Sequence, residues 1–184
     1  MPASPALRSL TLAGLAAAVV GVGLYVFGTQ HTPDYTTSLF GKSGPETLSL
    51  KSWLATGVLA FAAVQLSLAL WMYGRLPFVS AAPPRVGPVH RAIGVLAILL
   101  TIPIAYHCAF AYGVQTKIDT RIAVHSIAGC FLYGAFIAKV VLVQSPGWRV
   151  PRWVLPVVGG TLVVVVAVLW YTSALWYFND YSLP

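Results

Sequence analysis

The sequence predicts an all-α integral membrane protein, a bundle of five transmembrane helices that forms a single domain over residues 1–184. Hydrophobic residues make up 58% of the 184 positions and charged residues only 8%, and the mean hydropathy is +0.81. These values lie far outside the range of soluble globular proteins. Five apolar runs also reach the roughly 18 residues that a helix needs to cross a bilayer. We therefore expect a multi-pass protein of the bacterial inner membrane, surrounded by lipid.

The five predicted spans follow one another through short connections. They cover residues 8–28, 49–74, 89–112, 121–144 and 153–178. The first apolar run is longer than a signal-peptide core and lacks a small-residue cleavage site, so we expect a retained anchor. Only about eight residues, "GVQTKIDT", join the third and fourth spans. This short loop predicts a tight antiparallel hairpin in which the two helices face each other.

Basic residues predict the orientation of the spans. Seven of them flank the span ends on one side, whereas the four on the other side are balanced by four acidic residues. The seven are Arg8, Arg75, Arg85, Arg91, Lys139, Arg149 and Arg152. Lysine and arginine mark the cytoplasmic side, so we expect the N-terminus inside and the C-terminus outside. The net charge of +7 therefore reflects topology and does not indicate a nucleic-acid partner.

Two histidines lie at matching positions around the third connection. His107 precedes Thr116 by nine residues and His125 follows it by nine, which places both rings roughly 6 to 8 Å inside the outer ends of their spans. Polar side chains at such depth indicate a functional site. One non-covalent haem b is the cofactor that best fits two neutral imidazoles from separate helices. The alternative is that each imidazole donates to a backbone carbonyl and fixes helix packing.

Other residues near the pair fit a porphyrin. Lys117 and Arg121 are placed to pair with haem propionates, and Gly129, one turn beyond His125, offers a smooth surface for a flat ring. Pro103 removes a helical hydrogen bond four residues before His107 and should bend the span. Packed helices lie only about 8 to 10 Å apart, so the hairpin must splay or the ring must lie to one side.

His90, in "GPVHRAIG", lies 17 residues before His107, or about 25 Å along a helix. One haem cannot touch both residues. A second haem would need another ligand on the inner side, and Met72 is the only formal candidate. We expect one haem, with His90 and Arg91 binding a lipid phosphate, a haem propionate or a quinone.

Two cysteines make a metal site an alternative interpretation. Cys108 and Cys130, together with the two histidines, resemble a Cys/His copper or zinc set. Cys130 lies about 9 Å deeper than Cys108 in the predicted hairpin, which is too far for a disulfide. We expect two free thiols.

The absence of certain residues and motifs argues against some classes of function. No aspartate or glutamate lies inside a predicted span, so a proton-coupled transporter would lack its carboxylate relay. The sequence contains no phosphate-binding loop and no C-x-x-C-H motif for covalent haem. Any haem would be held without a covalent bond.

Four segments carry a resemblance: "GPVHRAIG", "TIPIAYHC", "RIAVHSIAGCFLYGAFIAKV" and "LWYTSALWYF". They resemble a family of small bacterial membrane proteins classed as a domain of unknown function, from about residue 45 onward. More remotely, the chain is similar to the transmembrane b-type cytochromes of the ascorbate-dependent ferric reductase type. That resemblance implies non-covalent haems between histidines. Those cytochromes carry two complete histidine pairs, whereas this chain has the outer pair and the lone His90.

These features predict a b-type cytochrome-like electron-transfer protein with a bis-histidine haem near the extracytoplasmic surface. Its partner would be an extracytoplasmic redox protein or a respiratory complex. One alternative is a non-catalytic subunit or assembly factor of a respiratory or copper-containing complex. Another is metal handling through His107, Cys108 and His125.

Overall fold

The computed structural model describes residues 4–144 and 150–183, and these residues contain helices but no β-strand. The long helices are α1 Pro5–Thr29, α2 Gly44–Met72, α3 Val86–His107, α4 Thr120–Gln144 and α5 Val154–Trp170. The starts of these helices, and the ends of α1, α2 and α4, agree with the predicted spans to within five residues, whereas α3 and α5 end earlier than the predicted positions 112 and 178. The largest difference among the starts is at α2, which begins five residues before the predicted position 49. Pro45 in its first turn has a backbone suited to a helix start, and Glu46 beside it favours the same end.

Two of the helices change their winding at the same end of the bundle. α3 continues as a π-helical turn, Cys108–Tyr112, and α5 continues as a second π-helical turn, Tyr171–Leu175, followed by the short helix Trp176–Phe178. With these extensions, five helices of the described chain are long and apolar enough to cross a membrane. The protein is therefore a multi-pass membrane protein by length and composition.

The helices do not pack in chain order. α1 packs on α4, α4 on α5, α5 on α2, and α2 on α3. Within the described residues, α3 and α4 do not pack closely, so the expectation of a tight hairpin with facing helices is wrong. Gly134 of α4 explains part of this arrangement. A Cβ atom on Gly134 would lie 2.7 Å from the Ala17 carbonyl oxygen, so this side of α4 is committed to close contact with α1.

The two ends of the bundle differ in composition. Its N-terminal end holds the start of α1 and the connection 73–85, whereas its C-terminal end holds the connections 30–43 and 113–119. A small apolar core of Ala13, Leu142 and Val154 lies toward the N-terminal end. Of the predicted site residues, all but His90 lie toward the C-terminal end. Arg149, one of the seven basic residues used to predict orientation, lies outside the described residues.

Candidate functional site

His125 on α4 has a defined tautomer. Its Nδ1 lies 2.9 Å from the Thr172 hydroxyl in the π-helical turn of α5. That hydroxyl lies 2.8 Å from the Val168 carbonyl and 3.2 Å from the Leu169 carbonyl, so its one proton goes to the backbone. Its oxygen must then accept the Nδ1 proton of His125. The lone pair of the imidazole therefore resides on Nε2, which is the arrangement found in histidines that bind metals.

His107 at the end of α3 is 2% exposed and also has one nitrogen engaged. Its Nε2 lies 3.0 Å from the Thr37 carbonyl oxygen and must donate to it. Its Nδ1 is buried and has no hydrogen-bond partner in the described residues. The ring also meets Tyr112 edge to face, with centroids 4.9 Å apart. An unpaired buried nitrogen costs free energy unless a ligand uses it.

The loop that supplies the Thr37 carbonyl is organised by Asp34. Its carboxylate accepts hydrogen bonds from the Thr36 hydroxyl at 2.6 Å, the Thr36 backbone N–H at 2.9 Å and the Thr37 hydroxyl at 2.9 Å. The Asp34 N–H donates to the Ala111 carbonyl of the π-helical turn at 2.7 Å. The hydrogen bonds from Thr36 and Thr37 hold the pKa of the Asp34 carboxyl below its ordinary value. The loop is thereby fixed beside His107.

Lys51 on α2 lies beside the Tyr112 ring, which in turn contacts His107. Its Nζ lies 4.1 Å from the centroid of the Tyr112 ring, and the ammonium interacts electrostatically with His107 and His125 as well as with Cys108. This position of Lys51 was not predicted from the sequence. A span beginning at residue 49 puts Lys51 at the membrane surface, whereas the actual start at Gly44 carries it about 10 Å into the helix.

Arg121 and Lys117, the predicted propionate partners, have different surroundings. Arg121 donates to the Thr172 carbonyl at 2.8 Å and lies over the Trp176 ring, 3.9 Å from its centroid. Its guanidinium also lies 4.0 Å from an Asp119 carboxylate oxygen. Arg121 therefore contacts Thr172, the partner of His125, and its guanidinium already interacts with three groups. Lys117 is exposed in the connecting loop.

Gly129 on α4 borders an open space. A Cβ atom on Gly129 would meet no atom within 4 Å. One turn further along this side of α4, the Tyr133 hydroxyl donates to the Thr101 hydroxyl of α3 at 2.8 Å. Since α3 and α4 do not pack closely, this bond bridges them.

The two histidines approach this space from different directions. At about 100° per residue, His107 lies roughly 120° around α3 from Thr101, whose hydroxyl meets α4. His107 is therefore directed toward the loop carbonyl of Thr37 and the ammonium of Lys51, away from a direct line to α4. The structure brings His107 and His125 to one end of the bundle. It does not set their rings face to face.

His90 lies apart from this cluster, at the N-terminal end. The Gln65 side-chain amide donates to the His90 carbonyl oxygen at 2.5 Å, and Lys139 is an electrostatic neighbour of the ring. The His90 Nδ1 is buried without a hydrogen-bond partner in the described chain. Met72, the formal second ligand, is exposed at the end of α2. The histidines of α3 thus belong to two separate polar regions.

The cysteines do not complete a metal set. Cys108 and Cys130 are both free thiols, as predicted. Across residues 4–144 and 150–183, no three His, Cys, Asp or Glu side chains converge in a way that could hold a metal ion. The copper or zinc alternative therefore lacks a third ligand in the part of the chain that the structure describes.

Comparisons with known proteins give a family but no activity. A family model described as "Family of unknown function (DUF6529)" matches residues 10–184, nearly the whole chain. No curated protein and no solved structure matches. The expected membership of a family of unknown function is confirmed, and no match supports the more remote similarity to b-type cytochromes. The chain belongs to the DUF6529 family of unknown function.

Proposed function

We propose that the protein is a b-type cytochrome-like electron-transfer protein that holds one non-covalent haem with His107 and His125. One observation carries this proposal. Two partly or fully buried histidines on separate helices each have one ring nitrogen hydrogen-bonded to the protein and a lone pair on the other nitrogen. Such a pair provides the two neutral axial ligands that a low-spin haem needs.

The surroundings of the pair support a flat ligand. α3 and α4 are splayed within the described chain, and Gly129 adds no side chain to the open space beside His125. The donor nitrogens would be Nε2 of His125 and, in the observed rotamer of His107, Nδ1, since its Nε2 is engaged by Thr37. Both nitrogens of a neutral imidazole can bind a metal.

The chain's own contribution would be to position the ligands and to fix their tautomers. The bound haem supplies one-electron chemistry at its iron. Thr172 fixes the tautomer of His125, and the Thr37 carbonyl does the same for His107. Arg121 lies one turn before His125 on α4 and donates to the carbonyl oxygen of Thr172, the partner of His125.

We place this site at the extracytoplasmic surface. The support is the excess of lysine and arginine at the opposite, N-terminal end of the bundle. Electrons would then pass to or from an extracytoplasmic redox protein or a respiratory complex. In right-side-out vesicles, an impermeant reductant should reduce the haem promptly. Prompt reduction only in inverted vesicles would contradict this orientation.

Histidine substitutions with added imidazole test the ligand pair. The variants His107→Gly and His125→Gly should each lose the low-spin spectrum, because one imidazole cannot occupy both axial positions. Millimolar external imidazole should restore it by filling the vacated position. The matched control is His31→Gly, since His31 packs against Phe27 and Phe110.

The following outcomes would contradict the proposal. If His31→Gly and His125→Gly lose haem to the same extent, or if His107→Gly retains the wild-type spectrum, the haem is held elsewhere. A wild-type protein without any haem would leave a structural subunit or assembly factor as the better account.

A further inference from the structure

We propose that an apolar groove between the end of α2 and the start of α3 binds one phospholipid with an anionic headgroup, whose phosphate interacts with Arg85. The groove lies at the N-terminal end of the bundle, away from His107 and His125, and the proposal does not depend on the proposed function. The sequence alone favours His90 and Arg91 as contacts of a lipid phosphate, whereas the groove is lined by Arg85.

The groove has the size and the lining expected of a site for a hydrocarbon chain. Its volume is about 620 Å³, within the range of about 300 to 1,000 Å³ that is typical of small-molecule sites. Apart from Arg85 its side chains are apolar, and they include Leu68 and Trp71 of α2, Pro83 and Pro84 of the connection, and Val89 of α3. Proline has no backbone N–H, so the connection adds few polar groups to the lining.

Trp71 forms an apolar wall of the groove. Its Nε1–H donates to the Ser80 carbonyl oxygen at 2.8 Å, which engages the one polar group of the indole. The remainder of the ring lines the groove. Tryptophan side chains with one polar edge and an apolar body are typical of the membrane interface. Phe78 of the same connection is fully exposed, so the connection has the character of a segment at the level of the lipid headgroups.

Arg85 provides an exposed positive charge at the mouth of the groove. All four acidic residues of the sequence belong to the opposite, C-terminal end of the bundle: Asp34, Glu46, Asp119 and Asp180. The ion pairs found in residues 4–144 and 150–183 also lie at that end, and neither includes Arg85. Arg85 is the N-cap of α3, whose first turn contains no acidic residue. The positive end of the helix dipole therefore adds to the charge of Arg85, and an anion is the missing partner.

A phospholipid combines the two properties that the groove presents. Its phosphate would lie against Arg85, and an acyl chain would pass between Leu68 and Val89 toward the interior of the membrane. Arginine is well suited to binding phosphate through two hydrogen bonds, and basic pockets between transmembrane helices bind acidic lipid headgroups. Because this end has no acidic side chain to pair with a choline ammonium, a headgroup of net negative charge is favoured.

Tryptophan quenching by brominated lipids tests the site, since bromine atoms on an acyl chain quench an indole that they contact. The full-length protein is reconstituted in phosphatidylcholine vesicles that contain a rising fraction of phosphatidylglycerol with brominated acyl chains. A parallel series contains brominated phosphatidylcholine instead. Wild type should be quenched at lower fractions of the brominated phosphatidylglycerol. This difference should disappear in Trp71→Phe, which removes the indole that lines the groove.

Substitutions test the charge and the shape of the groove separately. Arg85→Gln should bind phosphatidylglycerol about fivefold more weakly, and Arg85→Lys should retain most of the preference because it keeps the charge. Arg8→Gln is the matched control, since Arg8 is an exposed cation of the same end on α1, which packs on α4. Val89→Phe should weaken quenching by both lipids because it fills the groove. Val95→Phe, at an exposed position of α3 outside the groove, should not.

Three results would overturn this assignment. The first is equal quenching of wild type by the two brominated lipids. The second is a preference for phosphatidylglycerol that Arg85→Gln or Trp71→Phe keeps in full. The third is displacement of the brominated phosphatidylglycerol by millimolar inorganic phosphate, which would identify a site for free phosphate instead. None of these measurements involves haem, so the lipid site and the proposed function are tested separately.

Discussion

The Nδ1 proton of His125 is donated to the Thr172 hydroxyl across 2.9 Å, and this bond joins α4 to the π-helical turn of α5. Thr172 also makes a second contact, because its backbone carbonyl oxygen accepts a hydrogen bond from Arg121. π-Helical turns occur often at functional sites because they redirect side chains and backbone groups within a helix. Here both π-helical turns of the described chain contact a histidine. Tyr112 of the first meets His107, and Thr172 of the second meets His125.

Replacement of Thr172 by valine should weaken haem binding without unfolding the protein. The valine has a similar shape but cannot accept the Nδ1 proton, so the tautomer and orientation of His125 are no longer fixed. Loss of such an outer hydrogen bond typically costs about 10- to 100-fold in metal affinity. Thr172→Ser keeps the hydroxyl and serves as the control. Equal haem affinity of the valine and serine variants in a spectroscopic titration would argue against this role of Thr172.

A large side chain at position 129 should exclude the cofactor. Gly129 faces open space beside His125, so a leucine there would fit the protein alone but would occupy the volume assigned to the porphyrin. We expect Gly129→Leu to fold normally and to contain little haem. Gly23→Leu is the matched control, because a Cβ atom at Gly23 also meets nothing within 4 Å but Gly23 lies on the exposed side of α1. Full haem content in Gly129→Leu would show that the open space is not the cofactor site.

The contact between α1 and α4 should be sensitive to a single methyl group. An alanine at Gly134 would place its Cβ atom 2.7 Å from the Ala17 carbonyl oxygen, and the helices would have to move apart. Overpacking of this kind costs about 1 to 3 kcal/mol. The control is Gly14→Ala on α1, where the added atom meets nothing within 4 Å. Thermal unfolding in detergent should show a lower midpoint for Gly134→Ala, and an unchanged midpoint would contradict the close packing.

The Asp34 loop should lose its contribution to stability in acid. The hydrogen bonds to Asp34 lower its pKa in the folded protein below the ordinary value of 3.8, so its contribution is fully present above that value. The contribution declines as the pH falls below 3.8 and is lost below the folded-state pKa. Wild type should therefore unfold at a higher temperature than Asp34→Ala near neutral pH, and the difference should shrink in strong acid. A difference that is the same at both pH values would contradict the role of the carboxylate.

The spans were predictable because a bilayer imposes one requirement, an apolar stretch of sufficient length. The order in which the helices pack was not predictable in the same way. In lipid every side of a helix can be apolar, so the sequence shows no clear buried side. The partners of α4 depend on details such as Gly134 against Ala17, and proximity in the chain wrongly favoured α3.

The site was predictable only in part. His107, His125 and Gly129 stood out because polar or small residues in apolar helices are conspicuous, and the structure places all three at the C-terminal end of the bundle or one turn below it. Thr37 and Thr172 lie far from the histidines in the chain, and threonine in a loop or helix carries no distinctive signal. Their roles depend on tertiary contacts of a backbone carbonyl and a hydroxyl. Lys51 escaped notice because the start of α2 was placed too late.

The most direct test of the central claim is the haem content of wild-type protein purified in mild detergent from haem-replete cells. Two imidazole ligands predict a red protein with a low-spin Soret band, a sharp α band on reduction and about one non-covalent haem per chain by pyridine haemochrome assay. A well-folded, colourless protein that also fails to take up added haem would contradict the claim that His107 and His125 form a haem site.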